Sequence, residues 1–117
     1  MAIEEIDFLN FAKSLSSDSE INCRNIISRS YYAAYHMCLA AYKPDLGSDG
    51  GGHKKLASAI MKSPAKQDKS NGYVLNQLKF LRVSADYKLN ENLSQTDAST
   101  AVRQAEKLHG NLPSASI

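Results

Sequence analysis

The chain has no apolar run that approaches the length of a membrane span, no alternating apolar pattern of useful strand length, and no cluster of Asp, Glu and His. The first absence excludes a membrane-spanning helix. The second argues against a sheet, and the third offers no donor set for a metal, so neither metal nor cofactor is expected. Where a secretory leader needs basic and then apolar residues, the N-terminus carries Glu4, Glu5 and Asp7, so the protein is expected in the cytoplasm. Cysteine is scarce too: Cys23 and Cys38 lie on what reads as one helix, about 22 Å apart at 1.5 Å per residue, too far for a disulfide. They match no metal-ligand spacing and read as small buried hydrophobes.

What is present suits one globular domain. The 117 residues are 43% hydrophobic and 22% charged, enough for a single core over residues 1–112, with a disordered tail at 113–117. The net charge of +2 says little, but its distribution says more. Residues 53–70 set Lys54, Lys55, Lys62, Lys66 and Lys69 against Asp68, and residues 1–20 set Glu4, Glu5, Asp7, Asp18 and Glu20 against Lys13. Both segments read as solvated helix faces, or, for Lys54 and Lys55, as a basic edge that meets an RNA backbone.

Periodicity predicts an all-α, up-and-down bundle of four main helices and one short helix. The first covers residues 3–15, with Ile3, Ile6, Phe8, Leu9 and Ala12 inward. Ser17-x-x-Glu20 forms a capping box that opens a long second helix, which runs to about Tyr42 before Pro44 stops it. The glycines of residues 47–52 form a loop without the strand and lysine of a phosphate-binding fingerprint. A short helix from His53 to Lys62 follows, and a polar stretch leads to a fourth helix from about Tyr73 to Leu89, with Leu75, Leu78, Leu81, Ala85 and Leu89 buried. The last helix starts after Ser94 or Thr96 and ends at Gly110, with Ala98, Ala101, Val102, Ala105 and Leu108 on the core.

The second helix carries the most informative stretch, Arg29-Ser-Tyr-Tyr-Ala-Ala-Tyr-His36. Between Asn25 and Tyr42 these two are the only charged or titratable groups apart from tyrosine and cysteine. A charge kept in so apolar a helix is either paired or used. Seven positions at 100° per residue place Arg29 and His36 within about 20° of each other, on a stripe with Asn22, Asn25, Tyr32, Ala33 and Ala40. Cys23, Ile27, Tyr31, Ala34, Cys38, Ala41 and Tyr42 occupy the opposite, core-facing side. The small Ala33 and Ala40 would let another helix approach the stripe. Arg103 and His109 repeat the Arg-to-His pattern, but they lie about 120° apart among charged residues and read as cations near a helix C-terminus.

This stretch resembles the signature of HEPN domains, in the branch whose long second helix reads Arg-x-Tyr-Tyr-Ala-x-x-His. Leu81-Arg82-Val-Ser-Ala85-Asp86-Tyr87 is similar to that branch's second block, and the resemblance runs from about Glu5 to Leu108. It implies a dimeric, metal-independent endoribonuclease of the toxin-antitoxin or phage-defence type, with Arg29 and His36 as the catalytic pair and RNA as substrate. It also implies a nucleotidyltransferase-like antitoxin as partner in many members. Some members are silenced by nucleotidylation of a tyrosine two residues after the His; here that position is Cys38, a departure that does not carry this control over, and Tyr42 and Tyr87 are the other tyrosines considered for it. Other members are noncatalytic binding modules, which is the alternative for this chain.

The residue chemistry suits cleavage. Histidine exchanges protons near neutral pH and the arginine fork matches phosphate oxygens. Asn25 and Tyr32 either orient the phosphate or the imidazole or serve ordinary packing. Two turns put about 10.5 Å between the Arg29 and His36 Cα atoms, and helical side chains lean toward the N-terminus, so Arg29 extends away from its own His36. An antiparallel crossing of two copies would bring Arg29 of one subunit to His36 of the other, which predicts an isologous homodimer. Arg82 and Asp86 form either an intrahelical ion pair or a contact with RNA or the dimer cleft. His53 either helps to bind phosphate or is solvated. A purely structural helical subunit is the third reading.

Overall fold

Five helices, with no strand among the described residues, build the protein in a computed structural model that describes residues 2–44 and 52–113. They are α1 (Glu5–Ser14), α2 (Glu20–Tyr42), α3 (Gly52–Met61), α4 (Lys66–Tyr87) and α5 (Gln95–Asn111). The expected glycine loop, apart from Gly52, and the expected tail, apart from Pro113, lie outside the described residues.

The central element is α2, which packs against α1, α4, α5 and, more lightly, α3. Its inner side holds Cys23, Ile27, Tyr31, Ala34 and Cys38, all at 2% exposure or less, as the periodicity predicted. Leu9, Leu56, Leu75, Leu78, Ala101, Ala105 and Leu108 close the core around them. Burying a side chain of Leu or Tyr size contributes about 1.5–3 kcal/mol, so this cluster holds the bundle together. Both cysteines are free, and burial pushes the Cys38 thiol up to about 12. Because α2 is covered on several sides, its open strip is narrower than expected: Ala33 is fully buried and belongs to the core, not to the outward stripe.

Three helix ends differ from the sequence expectation for identifiable reasons. The cap of α2 is Ser19, whose Oγ accepts from the Asn22 amide at 3.3 Å; the Ser17–Glu20 box does not form. Glu20 instead pairs with Arg24 and accepts from the Leu93 amide at 3.5 Å. In α4 the helix begins at Lys66, seven residues before the expected Tyr73, because its polar first turns find tertiary partners. Asp68 accepts from the Tyr42 hydroxyl at 2.8 Å and from Ser63 Oγ at 2.7 Å, and the buried Asn71 donates to Tyr42 Oη at 2.9 Å. Gly72 allows the close approach of α3, since a Cβ there would lie 2.4 Å from Met61 Cγ and 3.1 Å from the Ala57 carbonyl.

The other end of α4 stops at Tyr87, leaving Leu89 exposed instead of buried. Arg24, 8% exposed, caps this end: its guanidinium donates to the carbonyls of Ser84, Ala85, Lys88 and Glu91 while holding the Glu20 carboxylate. A cation is favourable where a helix presents unpaired carbonyls. At the chain start Ile3 precedes α1 and is exposed, whereas Leu9 and Ala12 are buried as expected. The last helix follows its expected boundaries closely, with Ser94 as cap and Asp97 completing a capping box. No helix among the described residues is long and apolar enough to cross a membrane.

Candidate active site

The middle of α2 escapes full burial only along one edge, where Arg29, Tyr32 and His36 all sit half-buried. Spacing of three and four residues keeps them on one side of the helix. Around this edge α1 contributes Phe8, α3 contributes His53, and α4 contributes Arg82 and Asp86. The chain thus brings together three of the four residues singled out on the outward stripe.

Arg29 is lightly held. Its Nη2 donates to Ser28 Oγ at 3.3 Å, and its Cζ lies 4.7 Å from the centre of the Tyr32 ring. No carboxylate of the described residues forms an ion pair with it. A guanidinium has five N–H donors, so several stay available for an anion such as phosphate.

Tyr32 stands between two guanidiniums. Arg82 Cζ lies 5.2 Å from the ring centre, and Arg82 Nη2 donates to the Tyr32 hydroxyl at 2.6 Å. Arg82 Nε is 3.0 Å from Asp86 Oδ2, so the predicted intrahelical ion pair forms. The same Asp86 oxygen accepts from Ser28 Oγ at 3.2 Å. A chain of contacts therefore runs from Arg29 through Ser28 to Asp86, on to Arg82, and back to Tyr32 beneath Arg29. Burial opposes the charge on Arg82, but its hydrogen bond to Tyr32 and the neighbouring Tyr87 and Asp86 outweigh that, and its pKa lies above the ordinary value.

His36 is flanked by rings. Phe8 stacks on it with centroids 5.3 Å apart and planes 13° from parallel, and Tyr35 meets it edge-on at 5.3 Å. Its remaining surroundings form a groove of about 560 Å³ between the start of α1 and the second half of α2, lined also by Glu4, Glu5, Leu39 and Ala40. No direct contact links Arg29 with His36 inside the chain; each reaches the other only through intervening rings and hydroxyls.

His53 departs from the solvated reading. It is half-buried, stacks on Tyr35 at 4.2 Å, and shares a 2.8 Å hydrogen bond between Nδ1 and the buried Tyr31 hydroxyl. Burial lowers its pKa below the ordinary 6.5, and the neighbouring Arg82, Lys79 and His36 lower it further. The ring is therefore neutral at neutral pH. Burial raises the Tyr31 hydroxyl well above its ordinary value, so this phenol stays protonated.

The remaining candidates lie elsewhere. Asn25 is exposed, and its Nδ2 donates to the Ile21 carbonyl within its own helix, apart from the Arg29 cluster. Lys54 and Lys55 sit on α3; the Lys54 side chain lies outside the described residues, and Lys55 is half-buried. Arg103 and His109 are both exposed on α5, His109 in the last turn. Tyr87 is exposed, whereas the Tyr42 hydroxyl is engaged by both Asp68 and Asn71.

What sequence reasoning missed is the contribution of the neighbouring helices. Phe8 read as a core residue of α1, and nothing in its spacing distinguished it as the cover of His36. Arg82 carried a signal, because it lies in the second block of the HEPN resemblance. His53 carried none beyond its residue type. No protein-family model matches the chain, and no curated protein or solved structure matches it either.

Proposed function

We propose that the protein is a metal-independent endoribonuclease of the toxin-antitoxin or phage-defence type, a HEPN-like bundle acting as a homodimer whose cleft combines Arg29 and His36 of both subunits. The observation that carries this reading is the half-open edge of α2, where a histidine and an arginine with no carboxylate partner among the described residues lie on one side of a stretch that has no other charged side chain between Asn25 and Tyr42. RNA itself supplies the nucleophile. The 2′-oxygen attacks the adjacent phosphorus as its proton passes to a base, the bond to the 5′-oxygen breaks, and that oxygen receives a proton from an acid. The products are a 2′,3′-cyclic phosphate and a 5′-hydroxyl. Histidine serves either proton transfer, and Arg29 balances the negative charge that builds on the phosphoryl oxygens.

Within one chain only intervening rings connect the two groups among the described residues, which supports a composite cleft. Along α2 the outward residues Ile21, Asn25, Arg29, Tyr32, His36 and Leu39 recur every three or four positions, and Ile21 is 65% exposed. This is the spacing that a crossing helix of a second copy requires. The nucleotidyltransferase-like antitoxin belongs to this reading as a partner implied by the resemblance.

One observation favours the noncatalytic alternative, a binding module for such a protein: Phe8 covers one face of His36. The assay that decides is cleavage of RNA by the purified chain in chelator, with product ends analysed. Wild type is expected to leave cyclic phosphate ends, and His36→Ala and Arg29→Ala are each expected to lose at least a hundredfold in rate, in line with the loss of one transition-state donor or proton-transfer group. Equal cleavage by all three proteins would defeat the assignment.

A further inference from the structure

Helix α4 carries a second feature that the Arg29 and His36 cluster does not absorb. Tyr73, Phe80 and Tyr87 recur every seven residues, about 10.5 Å apart on one side of the helix. They are 59%, 71% and 67% exposed, unusually open for large rings. Cations are laid on two of them: Lys88 Nζ lies 5.6 Å from the Phe80 ring centre and Arg82 Cζ 5.3 Å from that of Tyr87. Gln77 donates to the hydroxyl of the third, Tyr73, at 3.1 Å. Grooves of about 410 and 220 Å³ flank Phe80 on its two sides, the smaller one lined by Lys79, Val83 and Lys88.

We infer that this face of α4 binds single-stranded RNA, with Tyr73, Phe80 and Tyr87 as stacking platforms and Lys79 and Lys88 on the backbone phosphates, leading the strand to Arg29. The inference rests on the ribonuclease reading for its substrate and adds where and how that substrate is held. Exposed rings interleaved with cations suit unpaired bases, whose faces stack on any aromatic side chain. Charge selects the occupant. The open face positions 73, 76, 77, 80, 83 and 87 include no carboxylate, and the nearby Asp86 is already held by Arg82 and Ser28. A second copy docked on the same face would bring Lys79 and Lys88 toward their own like charges, whereas phosphates complement them. The path is also continuous with the candidate site, since Tyr87 covers Arg82, and Arg82 holds the Tyr32 that underlies Arg29.

The test uses the full chain carrying His36→Ala, which is expected to hold RNA without cutting it, and a labelled unstructured 20-nucleotide RNA in chelator. Adding Tyr73→Ala and Phe80→Ala is expected to raise Kd about tenfold or more, while Phe80→Trp preserves binding. Light scattering should give the same mass for both proteins, and a duplex of equal length should bind with little dependence on the rings. An unchanged Kd overturns the inference. So does a changed mass, which would make the face an interface between copies. Cleavage by the otherwise wild-type chain is measured in parallel. Retained cleavage with ring-independent binding sinks only the track, whereas ring-dependent binding without cleavage sinks only the nuclease.

Discussion

Arg24 and Arg29 sit five residues apart on the same helix and do opposite things. The first is 8% exposed and spends its donors on four carbonyls and a carboxylate. The second is half-open and, among the described residues, meets a hydroxyl and a ring. Five positions turn the side chain about 140° around the helix, which suffices to move an arginine from the end of α4 to the edge of the bundle. A buried charge is tolerated when every donor is satisfied, and such a residue is architectural. A charge left with free donors beside a titratable ring is the one to test for chemistry.

The contrast breaks most directly at Arg24. Arg24→Met strands the carbonyls that end α4, while the exposed Glu20 is left to solvent, and should lower stability by about 1–3 kcal/mol in urea denaturation. Arg29→Ala should change stability by no more than about 0.5–1 kcal/mol in the same titration while abolishing cleavage. If Arg29→Ala proved as destabilising as Arg24→Met, both arginines would be architectural and the distinction would fail.

A smaller effect is expected where α3 approaches α4. Gly72→Ala gains helix propensity but drives a methyl into Met61 and the Ala57 carbonyl, with a net loss of about 1 kcal/mol in thermal unfolding. Stabilisation instead would show that the two helices are not in close contact there.

His53 and Asp68 give the finest comparison, because they titrate in different pH windows. The folded pKa of His53 lies below its unfolded value of 6.5, so below that pH the unfolded chain binds more protons at this site than the folded one. Its effect is therefore a loss of stability as pH falls from about 6.5 to the folded pKa, and no change above. His53→Gln should flatten the denaturation midpoint across that window, and a profile identical to wild type would contradict the half-buried position of the ring. Asp68 titrates in a lower window. Hydrogen bonds from Ser63 and Tyr42 hold its carboxyl below the ordinary 3.8, so its contribution is present above that value and is lost on further acidification.

Much of this was legible in the pattern of residues. Cys23, Ile27, Tyr31, Ala34 and Cys38 followed a helical period onto the core, and Ser94, one of the two starts expected for α5, is its cap, because local spacing and local capping decide both. The start of α4 was not legible. Asp68 and Asn71 look like loop residues until Tyr42, far away in sequence, supplies their partner. Leu89 read as core because its spacing fits the α4 stripe, yet the helix ends earlier, where Arg24 gathers the carbonyls. His53 read as solvated because nothing near it in sequence announces the ring of Tyr35 that it meets.

By itself the sequence determined that this is a helical chain, that Cys23, Ile27, Tyr31, Ala34 and Cys38 face inward, and that Arg29 and His36 share one side of α2, since all three follow from a repeat of 3.6 residues per turn. Tertiary structure alone decided that Arg24 is buried and Arg29 is not, that Phe8 lies on His36, and that Arg82 reaches Tyr32. Those outcomes depend on which helices lie against α2 and at what height, and contacts between distant segments leave no period in the chain that makes them.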